Sequence, residues 1–325
     1  MLGIANIASA PTPGWAWGVF ATVVVLALAV DLLIVNRRAR APSTRTAAAW
    51  CVVWVSLALS FNVLVYFVKD RTAALEFTTA YLVELSLSVD NLFIFLVIFR
   101  FFAVPAAYQH RTLFWGILGA VVMRGILIGL GVELLARFAF LIFVFGAILI
   151  FTGVKLFFSK DESHDPTRTW AYRLVRRYVP LTGQYYEERF FARENARWLA
   201  TPLFLVLVVI ESTDLVFAVD SIPACLAISR DAFIVYSSNI FAILGLRSLY
   251  FLLAGAMGSL RFLKPALSVV LVFIGVKMVL AELGGEEKPY KIPTGVSLAV
   301  VGLVLALAVV ASLIFPKKEE AKAAQ

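Results

Sequence analysis

Two short segments place carboxylates where an apolar chain has no general use for them. Residues 84–92 read ELSLSVDNL and residues 214–222 read DLVFAVDSI. Aligned without a gap, Glu84 falls on Asp214 and Asp90 on Asp220, while Glu211 adds a fifth acid three residues earlier. Asn91, Ser88 and Ser221 stand beside them. Carboxylate, amide and hydroxyl oxygens without histidine suit hard divalent cations, so Mg2+, Ca2+ and Mn2+ are the candidate occupants. A zinc or copper site would bring His or Cys. The nearest soft atom belongs to Cys225, and a cysteine in an apolar run reads first as a small apolar residue. The metal set is therefore Glu84, Asp90, Asn91, Glu211, Asp214 and Asp220, with Ser88 and Ser221 as additional oxygens. Nothing in these segments asks for a catalytic residue or a resident cofactor; the cation would be cargo.

The elements that must hold these residues follow from composition. Residues AVILMFWYC make up 62% of the 325, and charged residues only 15%, where soluble globular chains carry roughly 25%. Mean hydropathy is +0.91. A soluble enzyme, a secreted disulfide scaffold and a disordered chain are all excluded. Apolar runs of spanning length, about 20 residues, fall near 15–35, 47–68, 77–99, 112–132, 138–158, 199–227, 232–254, 262–281 and 292–315. The expected fold is an all-α, polytopic transmembrane helix bundle of about nine spans, one integral membrane domain over residues 1–325. The net charge of +8 reflects basic residues gathered on the cytoplasmic side rather than a nucleic-acid partner. Of the Lys and Arg outside the spans or at their ends, 6 fall on the side of the N-terminus and 19 on the other. That predicts an outside N-terminus, with the C-terminus and the 159–198 connection in the cytoplasm, in the cytoplasmic membrane.

Four bases remain inside the spans: Arg124, Lys155, Arg247 and Lys277. Each intramembrane charge costs about 2.5–3.5 kcal/mol on insertion scales, so these read as counter-ions to the acids. They also repeat. FTGVKLF at 151–157 matches FIGVKMV at 273–279, setting Lys155 against Lys277, and Arg124 and Arg247 lie 31 and 30 residues before those lysines. Order and spacing agree across three spans, and an odd number of spans makes the second copy enter the membrane from the opposite side. The expectation is a pair of inverted three-helix repeats, spans 3–5 within 72–158 and spans 6–8 within 199–283, the architecture of many secondary transporters. Six residues turn a helix by about 240° and raise it about 9 Å. Glu84 and Asp90 thus cannot converge from an unbroken helix, and an unwound stretch is expected near Asn91, Ser221 and Pro223.

The 159–198 connection begins SKDESHDPTRT and then interleaves aromatics with arginines. It reads as an interfacial helix at the lipid headgroups, or as a docking element for soluble partners or further copies. His110 and His164 read as solvated loop residues. An aspartyl protease of the bilayer would show YD and GxGD; the contexts here are VDN and VDS, so no enzyme is expected. A membrane scaffold would leave nine intramembrane charges with no purpose beyond pairing.

ELSLSVDNLFIF at 84–95, TPLFLVLVVIESTDLVFAVDSIPA at 201–224 and SNIFAILGLRSLYFLLA at 238–254 closely resemble the TerC family of integral membrane proteins, over about residues 15–315. The resemblance implies export of manganese from the cytoplasm and kinship with the LysE transporter superfamily, with repeated three-helix units. The family name comes from tellurite resistance. Its acidic motif residues fall on Glu84, Asp90, Glu211, Asp214 and Asp220, with Asn91 beside the first aspartate. The functional expectation is Mn2+ export by proton antiport, because carboxylates bind metal in their ionised form and an arriving cation displaces protons. A Ca2+ exporter, or a scaffold in metal-stress or tellurite response, is the alternative.

Overall fold

The computed structural model describes residues 12–30, 43–138, 140–158, 166–194, 197–255, 262–283 and 292–315, apart from the side chains of Asp90 and Leu313. His164 and Asp31 lie outside the described residues. Apolar sequence becomes helix throughout, because a backbone in hydrocarbon must satisfy its own hydrogen bonds. The helices are α1 (Gly14–Val30), α2 (Thr44–Val68), α3 (Arg71–Phe101), α4 (Ala106–Arg137), α5 (Leu141–Phe158), α6 (Trp170–Tyr178), α7 (Pro202–Ile228), α8 (Ala232–Leu244), α9 (Leu246–Gly255), α10 (Leu263–Leu283) and α11 (Thr294–Ile314). Among the described residues, eight helical stretches are long and apolar enough to cross a membrane, with α8 and α9 counted as one; α1 is shorter. The chain is an all-α, multi-pass bundle.

Short polar residues set the helix starts. Asp70 Oδ1 accepts from Ala73 N at 2.7 Å to open α3, and Asp231 Oδ1 accepts from Phe233 N at 2.9 Å to open α8, each satisfying an orphan amide. Asp231 does double duty, since its Oδ2 pairs with Lys69 Nζ at 2.6 Å and ties the α2–α3 turn to the α7–α8 turn. After α3 ends at Phe101, Ala103, with a φ of 49°, closes the turn into α4.

α3, α7 and α8 form the interior. α4 packs on α7, while α8 packs on α3. α5 and α10 meet along a seam of small residues. A Cβ on Gly275 would lie 2.8 Å from Gly146 O, and one on Gly153 would lie 2.9 Å from Ser268 O, so the backbones touch directly. Ser268 Oγ donates to Gly153 O at 2.6 Å across this seam. At the edge, α1 and α2 join through aromatic rings, Phe20 and Phe61 packing on Phe233 and Phe241.

Between α5 and α7 the chain forms α6 and then an antiparallel hairpin, β1 (Phe191–Glu194) and β2 (Arg197–Ala200). The hairpin is the one departure from helix that the sequence reading did not anticipate. α6 buries Ala171 and Val175 and leaves Trp170, Leu174 and Tyr178 exposed among its arginines. Tyr185 Oη donates to Phe102 O at 2.8 Å, anchoring this region under α3. Burial pushes the Tyr185 phenol up to about 12. Tyr186 Oη donates to a Glu194 carboxylate oxygen; the shared proton raises the tyrosine and lowers the glutamate from their ordinary values.

The expected unwinding does not occur. α3 is continuous past Asn91, and α7 is continuous with Pro223 inside it. Glu84, Asp214 and Asp220 are met by side chains from other helices, Arg124 and Thr152, without a broken helix.

Candidate cation site

The centre of the site is a guanidinium. Arg124, projected from α4, is fully buried, and so are Glu84 of α3 and Asp214 of α7. Arg124 Nη2 and Nε reach Asp214 Oδ1 and Oδ2 at 2.9 and 3.2 Å, a two-pronged contact. Its Nη1 pairs with Glu84 Oε1. Planar, forked and permanently charged, arginine is the side chain that can serve two carboxylates at once. One guanidinium thus faces two carboxyl groups.

From Glu84 the polar line continues outward from the arginine. Cys225 Sγ approaches Glu84 Oε2 at 3.8 Å, and Asn239 Nδ2 of α8 approaches Cys225 Sγ at 3.9 Å. Asn239 was not singled out by the sequence, where it follows Ser237 and Ser238 in a short polar stretch between apolar runs.

The other acids are held separately. Thr152 Oγ1 of α5 donates to Asp220 Oδ1 at 2.9 Å, with Lys155 as the cationic neighbour. Glu211, half-buried and near Asp214, lies over Gly119, where a Cβ would collide with its carboxylate. The glycine is what lets that carboxylate lie against α4. Asn91 is buried on α3, one residue past Asp90. Ser88 and Ser221 are buried and make no hydrogen bond. Among the described residues, no three His, Cys, Asp or Glu side chains gather as a metal ligand set; the Asp90 side chain stands outside that statement.

The remaining bases sit elsewhere. Lys277 faces Glu76 of α3, a residue the sequence reading missed because its span was begun at 77. Arg247 is buried, with Nη1 3.0 Å from His110 Nε2. That overturns the reading of His110 as a solvated loop residue: α4 starts at Ala106 and turns the imidazole inward, where a neutral ring nitrogen can face the arginine.

The sequence profile of the "Integral membrane protein TerC family" matches residues 69–320. A membrane protein of Myxococcus xanthus is 47% identical over 306 residues, covering 94% of each chain. Alx of Escherichia coli (strain K12), named as a candidate membrane-bound redox modulator, is 45% identical over 300 residues, covering 90% of this chain and 92% of its own. A membrane protein of Rickettsia bellii is 36% identical over 298 residues, 92% of this chain and 97% of its own. No solved structure matches. The profile covers the carboxylate motifs, the buried arginines and the small-residue seam alike, so the chain belongs to the TerC family of integral membrane proteins.

Proposed function

We propose that this protein is a secondary transporter that exports a divalent cation, Mn2+ before others, from the cytoplasm in exchange for protons. The observation that carries the reading is Arg124. One buried guanidinium is held simultaneously by Glu84 and Asp214, the aligned positions of the two acidic motifs. Two carboxylates on different helices already share one positive charge, and an arriving divalent cation would compete for the same oxygens. Ionised carboxylates bind the metal and protonated ones do not, so metal and protons use the site in turn. Asp90, Asp220, Glu211 and Asn91 supply the further oxygens, with Lys155 balancing Asp220.

Two contact patterns support the inverted repeats that alternation requires. With residues 146 and 153 aligned on 268 and 275, the Gly146–Gly275 contact becomes the Ser268–Gly153 contact, and both are present. Likewise α4 packs on α7 as α8 packs on α3, each second helix crossing to the other motif helix. The basic-residue asymmetry orients the C-terminus and the α5–α7 connection to the cytoplasm of a cytoplasmic membrane.

Oxygen ligands admit Ca2+ as well as Mn2+, and the family resemblance favours manganese. The redox role in the Alx name is compatible with cation export, since a redox-active metal pool changes the poise of a cell without this chain carrying electrons. Purified protein in proteoliposomes, offered Mn2+, Ca2+ and Zn2+, tests the reading. Mn2+ flux that protonophore alters is expected, and Asp90→Asn or Asp220→Asn should each abolish it. Ca2+ flux alone selects the alternative substrate, and no flux for any metal returns the chain to a membrane scaffold.

A further inference from the structure

Buried hydroxyls on these helices ordinarily satisfy themselves. Thr79 donates to Leu75 O, Ser86 to Leu82 O, Ser237 to Phe233 O and Ser238 to Ile234 O, at 2.6 to 2.7 Å. Such back-bonding to the carbonyl one turn earlier is the default for serine and threonine inside a helix. Ser88 and Ser221 have the same opportunity, are 0% and 1% exposed, and do not take it. Asn239 is 0% exposed, and its Oδ1 also has no partner.

These three oxygens are linked to the polar line of Glu84, Cys225 and Asn239. Ser88 lies four residues after Glu84 on α3, and Ser221 four residues before Cys225 on α7, so each shares a helix face with a member of the polar line. Asn239 touches Cys225 directly. The thiol has one proton, directed at Glu84 Oε2, so its sulfur can only accept from Asn239. That fixes the amide with Nδ2 toward the sulfur and leaves Oδ1 facing away from it. A carbonyl oxygen cannot donate; buried without a donor, it is suited to a cation.

We propose that Asn239 Oδ1, with Ser88 Oγ and Ser221 Oγ, forms a neutral-oxygen subsite for a partly dehydrated divalent cation beside Glu84. The subsite rests on the transport reading and deepens it. Uncharged oxygens replace hydration without adding charge, so a cation held by the acidic residues can pass to them and be released. Three helices contribute, α3, α7 and α8, so their relative positions control whether the oxygens converge.

Leucine has nearly the shape of asparagine and lacks its polar atoms; the substitution removes the unpartnered Oδ1 and forfeits only the 3.9 Å contact from Nδ2 to Cys225 Sγ, so it costs the fold little. The full chain is purified in detergent and its melting temperature followed with Mn2+ alone as the probe, and Mn2+ flux is measured in proteoliposomes. Asn239→Leu should melt no lower than the parent without metal, bind Mn2+ at least tenfold more weakly and lose most of its flux. Asn239→Ala, which adds no bulk, decides the matter if the leucine variant does not fold. Parental Mn2+ affinity and flux in the folded variant overturn the subsite alone, leaving transport standing. A parent with no Mn2+ response and no flux overturns the transport reading, and the subsite falls with it.

Discussion

At the scale of the residue, the interior is governed by one positive charge serving two negative ones. Removing a member of a buried ion pair strands its partner, at a cost of about 3–5 kcal/mol. Arg124→Gln should therefore lower the unfolding free energy by about that amount, seen as a large drop in melting temperature in detergent. Arg124→Gln combined with Glu84→Gln should recover part of the loss, because one carboxylate is then no longer stranded. The carboxylates themselves were legible from sequence as repeated charges in apolar runs. Their partners were not. Glu84 and Asp214 meet at a side chain 40 residues from one and 90 from the other, and no local spacing encodes such a meeting. Asn239 was missed and His110 misread for a related reason: each acquires meaning only from what faces it, whereas Glu76 was missed because its span was begun one residue too late.

At the scale of the element, the seam between α5 and α10 is set by backbone contact, which no side chain can yield to relieve. Gly153→Ala would bring a Cβ to 2.9 Å from Ser268 O and 3.0 Å from Val272 N. The helices must separate, so the variant should melt well below the parent, and Gly275→Ala should behave alike. The opposite sign is expected at Ala103. Its left-handed backbone costs about 1–2 kcal/mol for a residue with a Cβ, so Ala103→Gly should raise stability, by less than that figure because glycine loses more freedom on folding. The hairpin between α6 and α7 should respond to pH at both extremes. Glu194 is lowered from 4.5, so its contribution is present above that value and fades as pH falls through the lowered one; Tyr186 is raised from 10.0, so its contribution is complete below that and fades as pH rises through the raised one. Backbone hydrogen exchange in the hairpin, corrected for intrinsic rate, should be slowest between those limits. The helices were readable from hydropathy because lipid leaves the backbone no other choice. The hairpin was not, because its four-residue strands mix charge and aromatics without a clean alternation. The helix break expected at Pro223 failed because distant side chains relieved the need for one.

At the scale of the whole molecule, orientation and coupling are the open expectations, and each has a direct measurement. Single cysteines at Ser43 and Thr167 should react with impermeant reagents only from the cytoplasmic side. On the proposed exchange, Mn2+ flux should fall as pH is lowered on the loading side, because protons would then compete for the same carboxylates. A consequence also follows from the seam. In a transporter of two inverted halves, the inward-open and outward-open forms are images of each other, and a strictly symmetric chain would populate them equally. On the proposed inverted repeat the image of Ser268 is Gly146, which has no hydroxyl, so the bond from Ser268 Oγ to Gly153 O has no counterpart at the other end of the seam. On that proposal, opening the end that holds the bond breaks it and opening the other does not. A single such bond is worth about 0.5–1.5 kcal/mol, enough to set the resting ratio of the two forms at roughly two to thirteen to one. Ser268→Ala would release that bias, so the idle protein would rest more evenly between its two faces.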